Sequence, residues 1–183
     1  MNTINLGSKV VVSDPCYKLG TWCAGVLENV LPGEYNCDIC IEDAGRWGNR
    51  VSHLYVVHKD YNIRLCEINE EQEFEVGVDS GTAGVFDYDY YAKYHTTEDI
   101  DDDWYTQHIC NAFYPGFDSS TWNKYILTHY KGFVSQSGYG DGGYTCYVKR
   151  NDNGQIIAIM IEYISFKDDE YEEEYDENDY CND

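Results

Sequence analysis

The sequence predicts an α+β fold, mostly antiparallel β, with one main helix near residues 98–113. Three observations carry this. Turn residues recur every eight to twelve positions through most of the chain. The stretches between them are β-branched or alternate apolar with polar, and one segment shows helical spacing behind an acidic first turn. At 183 residues the chain has the length of one domain. We read it as a single β-rich body over 1–167 and an acidic, solvated tail over 168–183.

Residues 8–13 are β-branched and stop at Asp14-Pro15, where proline drives its predecessor out of the helical region. Pro32-Gly33 is a turn dipeptide. Behind it residues 34–41 alternate, with Tyr35, Cys37, Ile39 and Ile41 on one side. Residues 45–50 form a second turn, and 51–58 resume a β pattern until Asp60-Tyr61-Asn62 breaks it. Residues 74–78 are a further strand that enters the small-residue turn 79–84, which Val85-Phe86-Asp87 closes.

The helix comes next. Thr97 is its N-cap, and Glu98, Asp99, Asp101, Asp102 and Asp103 load its positive end. Trp104, His108, Ile109 and Ala112 recur at helical spacing, and Pro115-Gly116 ends it. Strands return at 124–129 and 132–136, then at 144–150 and 155–164, the last two joined by the turn Asn151-Asp-Asn-Gly154 as the clearest hairpin. In the turns, Gly81, Gly84, Gly140 and Gly142 are read as serving backbone conformation.

The charge balance limits function. Acids outnumber bases 34 to 12, for a formal net charge of −22. Such a field repels phosphate backbones and anionic lipid, so it disfavours direct binding to nucleic acid or membrane and favours a basic protein partner. Ten of the final sixteen residues are acidic, yet the body alone still carries −12. Apolar residues at 43% and aromatics at 16% are too many for a disordered chain. The first residues lack both a basic region and an apolar core, and no run is long enough to span a bilayer, so a cytoplasmic protein is expected. Its eight cysteines are then read as reduced thiols.

Most motifs have a plain structural reading. Cys37-Asp-Ile-Cys40 has zinc-type spacing, but a second such pair is missing, and residues three apart on a strand face opposite ways, so structural thiols are favoured over metal. The acids at 87–89 and 99–103 lack the alternation of a calcium loop, and helix capping accounts for the second run. The histidines at 53, 58, 95, 108 and 129 follow no metal pattern. Asp79-Ser80-Gly81 lacks the glycine of a nucleophile elbow, and the glycines of 138–143 sit between strands, where a tight turn is the better account than a phosphate cradle.

Four segments taken in order carry a resemblance. They are Ser13-Asp-Pro-Cys-Tyr17, Pro32-Gly-Glu-Tyr35, Val76-Gly-Val-Asp-Ser-Gly-Thr-Ala-Gly84 and Ser137-Gly-Tyr-Gly-Asp-Gly142 with Tyr144. Together they resemble an uncharacterised bacterial and phage family of DUF4241-like proteins, over roughly residues 8–164. The resemblance implies a β-rich fold and a frequent home in phages and prophages; it implies no reaction.

Two functions are expected as alternatives. The first is an acidic phage or prophage accessory protein without cofactor or metal. It would inhibit a host nucleic-acid-binding defence protein, such as a CRISPR nuclease, in the manner of anti-CRISPR and DNA-mimic proteins. Its candidate contacts are Asp87, Asp89, Glu98, Asp99, Asp101, Asp102, Asp103 and the tail acids from Asp168 to Asp179. The second is a ligand-binding or metal-assisted hydrolytic protein with a pocket where Asp14, Asp79, Ser80, Asp141 and Tyr144 meet. One shared pocket formed by those separate turns favours the second function, and scattered turns favour the first.

Overall fold

The computed structural model describes residues 2–68, 71–95, 102–113, 125–129 and 131–165. Among these residues eleven strands form two sheets. In chain order they are β1 (Asn2–Leu6), β2 (Lys9–Ser13), β3 (Ala24–Glu28), β4 (Gly33–Asp43), β5 (Asn49–His58) and β6 (Glu71–Val78), followed by β7 (Thr82–Asp87), β8 (Tyr125–Thr128), β9 (Gly132–Gln136), β10 (Gly142–Arg150) and β11 (Ile156–Glu162). One sheet has the order β1-β4-β5-β11-β10-β6 and the other β3-β2-β7-β9-β8, every strand pairing being antiparallel. The predicted antiparallel architecture holds, as a sandwich.

The main core lies between the sheets. Ile4, Leu6, Val10, Val12, Tyr35, Leu54, Val56, Val85, Phe133, Ile159 and Ile161 bury their side chains there. Both sheets are also covered on their outer faces. The run Lys-Val-Val-Val-Ser of β2 is apolar without alternation because Val10 and Val12 enter the main core while Val11 packs outward under helices. On the far side of the six-stranded sheet, Val57, Ala158 and Met160 are capped by Ile63, Leu65 and Ile68 of the segment after β5.

The helical cover differs from the expected single helix. The chain enters α1 (Tyr88–His95) directly from β7. Its composition, Tyr-Asp-Tyr-Tyr-Ala-Lys-Tyr-His, reads locally as strand, but Tyr91 and His95, four apart, stack with ring centroids 3.9 Å apart and hold the turn. The expected helix is present over 102–113 as α2 (Asp102–Tyr105), a π-helical turn (Thr106–Cys110) and α3 (Asn111–Phe113). Thr97 and the start of that helix fall outside the described residues. The π turn inserts one residue into the repeat. The buried face therefore runs Trp104, Ile109, Phe113, leaving His108 half-buried and Ala112 exposed.

Two strands had no local signature. β1 and β3 are five-residue edge strands, held by their ladders to β4 and β2. The small-residue turn expected over 79–84 is shorter, because Thr82, Ala83 and Gly84 are buried members of β7. On the open edge of the larger sheet, β6 carries Glu71, Glu73 and Glu75; the ladder skips Glu73 as a bulge, and Arg150 pairs with Glu71 and Glu73.

Candidate functional site

Register places three of the four sequence motifs at one end of the sandwich. β2 stops there at Ser13, β6 ends at Val78, and β10 begins at Gly142 opposite Val78, so Asp141 follows Asp79 along the same edge. β9 leaves at the same end, where Ser137 N donates to Gly81 O at 3.1 Å. The Pro32-Gly33 turn lies at the opposite end, where Gly33 pairs with Leu6.

Asp14 ties two of these turns together. Its carboxylate is fully buried and accepts four hydrogen bonds: Oδ1 from Cys16 N at 2.9 Å and Ser80 Oγ at 2.7 Å, Oδ2 from Asp79 N at 2.9 Å and Ser80 N at 2.8 Å. Burial pushes the Asp14 carboxyl above its ordinary range, and the four donors work against that rise. Ser80 Oγ also lies 2.8 Å from Thr82 Oγ1, and the Tyr105 hydroxyl bonds to Ser80 from the helical cover. With both oxygens occupied, this carboxylate acts as a clamp between loops. A metal ion could reach it only by displacing backbone donors.

The other members of the predicted pocket divide. Asp79 is exposed and accepts from the Tyr17 hydroxyl, whose proton is held more tightly as a result. Asp141 is exposed beside it. Tyr144 lies beneath the surface, donating to Gly140 O at 2.8 Å and Ser137 O at 3.1 Å, and so closes the loop from below. The turns therefore converge, while the buried carboxylate and phenol among them are engaged in holding them.

The predicted contact acids also divide. Asp87 is turned inward at the opposite end, 8% exposed. Its Oδ1 caps α1 through Tyr90 N at 3.1 Å, its Oδ2 accepts from Gly7 N at 2.9 Å, and Lys131 Nζ is 3.8 Å away. Asp89 is exposed on the first turn of α1. Asp102 and Asp103 open α2; Glu98, Asp99, Asp101 and the acids from Asp168 onward lie outside the described residues.

Sequence reasoning missed the exposed aromatics of this end. Trp47 is 54% exposed and Tyr139 57% exposed, and the two rings meet edge to face with centroids 6.3 Å apart. Trp22, 67% exposed, lies near Tyr17 with ring centroids 6.2 Å apart. Beside Tyr139 is a cleft of about 260 Å³ lined by Glu42, Asp43, Ala44, Gly45, Ile164 and Ser165. The available signal was a large aromatic between turn glycines, as in Gly45-Arg-Trp-Gly48 and Gly138-Tyr-Gly140, where a three-residue loop cannot reach a core.

The fold and this end define a β-sandwich that presents a loop surface of aromatic and acidic side chains. The chain belongs to the family described as protein of unknown function (DUF4241), whose model matches residues 6–161. No curated protein and no solved structure matches it. Among the described residues no helix is long and apolar enough to cross a membrane.

Proposed function

We propose that this chain is a non-catalytic, phage-derived binding protein. In this reading it occupies the Lys/Arg-lined groove of a host nucleic-acid-binding defence protein, a CRISPR nuclease being the leading type, and excludes nucleic acid from it. The observation that carries the reading is the loop end, where exposed Trp22, Trp47 and Tyr139 stand among Asp43, Asp79 and Asp141. Aromatic faces and carboxylates together recognise Lys and Arg, by cation–π contact and charge-assisted hydrogen bonds. Arg46 of the chain itself sits over Trp47, 5.4 Å from the ring, an arrangement that a partner cation would reproduce on Tyr139.

The charge distribution supports the same reading. Lys9, Lys59, Arg64, Lys131 and Arg150 are each paired with an acid of the chain, so the surplus of carboxylate faces outward. The acids Glu98 to Asp103 and those of the tail add to the field that steers a basic partner.

The test adds the protein to candidate host nucleases and follows DNA binding and cleavage across a salt series. Inhibition should weaken as salt rises, since exposed charges are screened beyond about 10 Å at 0.1 M. Trp47→Ala with Tyr139→Ala should weaken it by roughly 30-fold or more, as for central aromatic anchors, and Asp79→Asn with Asp141→Asn should slow association. Unchanged DNA binding by every nuclease tried, or inhibition indifferent to salt and to these variants, would refute the reading and return attention to the Asp14, Asp79 and Asp141 turns.

A further inference from the structure

We propose that the cleft between the π-helical turn and the β8–β9 hairpin is a binding site for a late first-row divalent metal ion, held by His108 and His129. The cleft has a volume of about 370 Å³ and is lined by His108, Leu127, Thr128 and His129. It lies on the helix-covered face of the smaller sheet, away from the Asp14 clamp, and is independent of the binding role proposed above.

Both histidines are presented in unusual ways. The extra residue of the π turn takes His108 out of the buried stripe and leaves it half-exposed at the cleft. Its Nδ1 lies 3.0 Å from Trp104 O. A ring that donates Nδ1–H to a carbonyl keeps Nε2 as a lone pair, the arrangement found behind metal-binding histidines. The indole of Trp104 stacks on the ring, centroids 5.4 Å apart and 16° between planes, which limits its rotation. His129 holds φ at 49°, a left-handed backbone that is uncommon outside glycine. Tyr90 backs it at 6.0 Å.

The separation fits a shared ion. The two imidazole centroids are 5.1 Å apart with planes at 51°. With a zinc–nitrogen bond of about 2.0–2.1 Å, each ring centre lies about 3.2 Å from the metal, and a tetrahedral angle then sets the centres roughly 5.2 Å apart.

No third histidine, cysteine or carboxylate joins the pair among the described residues. Two positions of a tetrahedral ion are thus left for water or for a donor from a partner. Imidazole donors select zinc, nickel or copper over magnesium and calcium, and a chain at −22 concentrates cations of any kind around itself.

The experiment titrates the full chain, kept reduced, with cobalt(II) as the probe. The expected result is visible d–d bands without a sulfur-to-cobalt charge-transfer band, displaced by added zinc. His108→Gln and His129→Asn should each weaken binding by more than ~100-fold, since loss of an outer-sphere partner alone costs 10–100-fold; asparagine also tolerates the left-handed backbone at 129. Cys110→Ser should bind as the parent does. Absence of visible bands in excess cobalt, a sulfur band, or affinity unchanged in both histidine variants would overturn the site. If a variant loses its far-ultraviolet dichroism, ring ¹⁵N shifts of the parent chain with and without zinc decide instead. Shifts confined to His108 and His129 support the site, and their absence there refutes it.

Discussion

Replacing Asp14 should show how much of the loop end depends on one carboxylate. Asp14→Ala leaves three backbone N–H groups and the Ser80 hydroxyl without their acceptor. Hydrogen bonds to a charged acceptor contribute about 1.5–3 kcal/mol each, but a simple sum overstates the loss. Cys16 and Ser80 are only half-buried and Asp79 is exposed, so water recovers part of it, and the variant no longer desolvates a carboxylate. The net cost should be about 3–5 kcal/mol, within the range for removing one partner of a buried charged network. For a domain of this size that lowers Tm by roughly 6–20 °C.

Asp14→Asn should lie close to the alanine variant, because its amide nitrogen turns a donor toward two donors. Ser80→Ala, which keeps Ser80 N, should lose about 1 kcal/mol, and the cycle of Asp14 and Ser80 variants should show coupling of about 0.5–3 kcal/mol. Urea denaturation gives both quantities at constant m. A shift below about 0.5 kcal/mol in both Asp14 variants would mean that the clamp does not bear on stability.

Three further outcomes are expected. Burial holds His53 at a pKa of about 4 despite Glu162 Oε1 at 3.6 Å; its folded value lies below the unfolded 6.5, so its stabilisation is complete above pH 6.5 and is lost as pH falls toward 4. That difference of about 2.5 units corresponds to roughly 3 kcal/mol, and urea midpoints against pH for the parent and His53→Asn should converge at the acid end; parallel curves would refute it. Gly84→Ala should destabilise by about 2 kcal/mol or more, since a Cβ would meet Phe133 O at 2.6 Å, whereas Gly142→Ala should be neutral because the nearest atom is 3.5 Å away. Calorimetry separates the two, and equal effects would count against the packing argument. In native alkylation the exposed Cys66 should react first among the described cysteines, with Cys23, Cys37 and Cys146 protected; burial raises Cys23 to about 11 and Cys37 to about 12, and mass spectrometry should find all eight thiols modified in denaturant.

What could be read before the structure was whatever depends on neighbours in the chain. Strands such as β4 and β5 announce themselves by alternation between turn residues, and β10 and β11 by the Asn151–Gly154 turn. α1 did not, because its tyrosines favour strands locally and become helical only by packing against Phe86 and the outer face of β2. The π turn was equally illegible, since one inserted residue leaves composition unchanged while moving the buried stripe by a position.

At the site, Asp14, Asp79, Ser80 and Asp141 were singled out; hydrogen bonds join the first three, and register sets Asp141 beside Asp79. That Asp14 is consumed by backbone donors depends on segments more than sixty residues apart, which no local pattern records. The inward, capping place of Asp87 was hidden for a related reason. An acid at a strand–helix junction has the composition of a surface residue and the geometry of a cap.

The bulged, acid-bearing edge strand β6 bears on how copies of this chain meet one another. An open edge is a row of unpaired peptide groups, and a second copy laid antiparallel along it would bring two backbones to within about 4.8 Å. Here such a docking would force Glu71, Glu73 and Glu75 of one molecule against the same residues of the other, across a ladder already put out of step at Glu73. The protein thus refuses its own kind along that edge. In acid, with these carboxylates protonated, the refusal would lapse, leaving the bulge as the remaining guard against fibril growth.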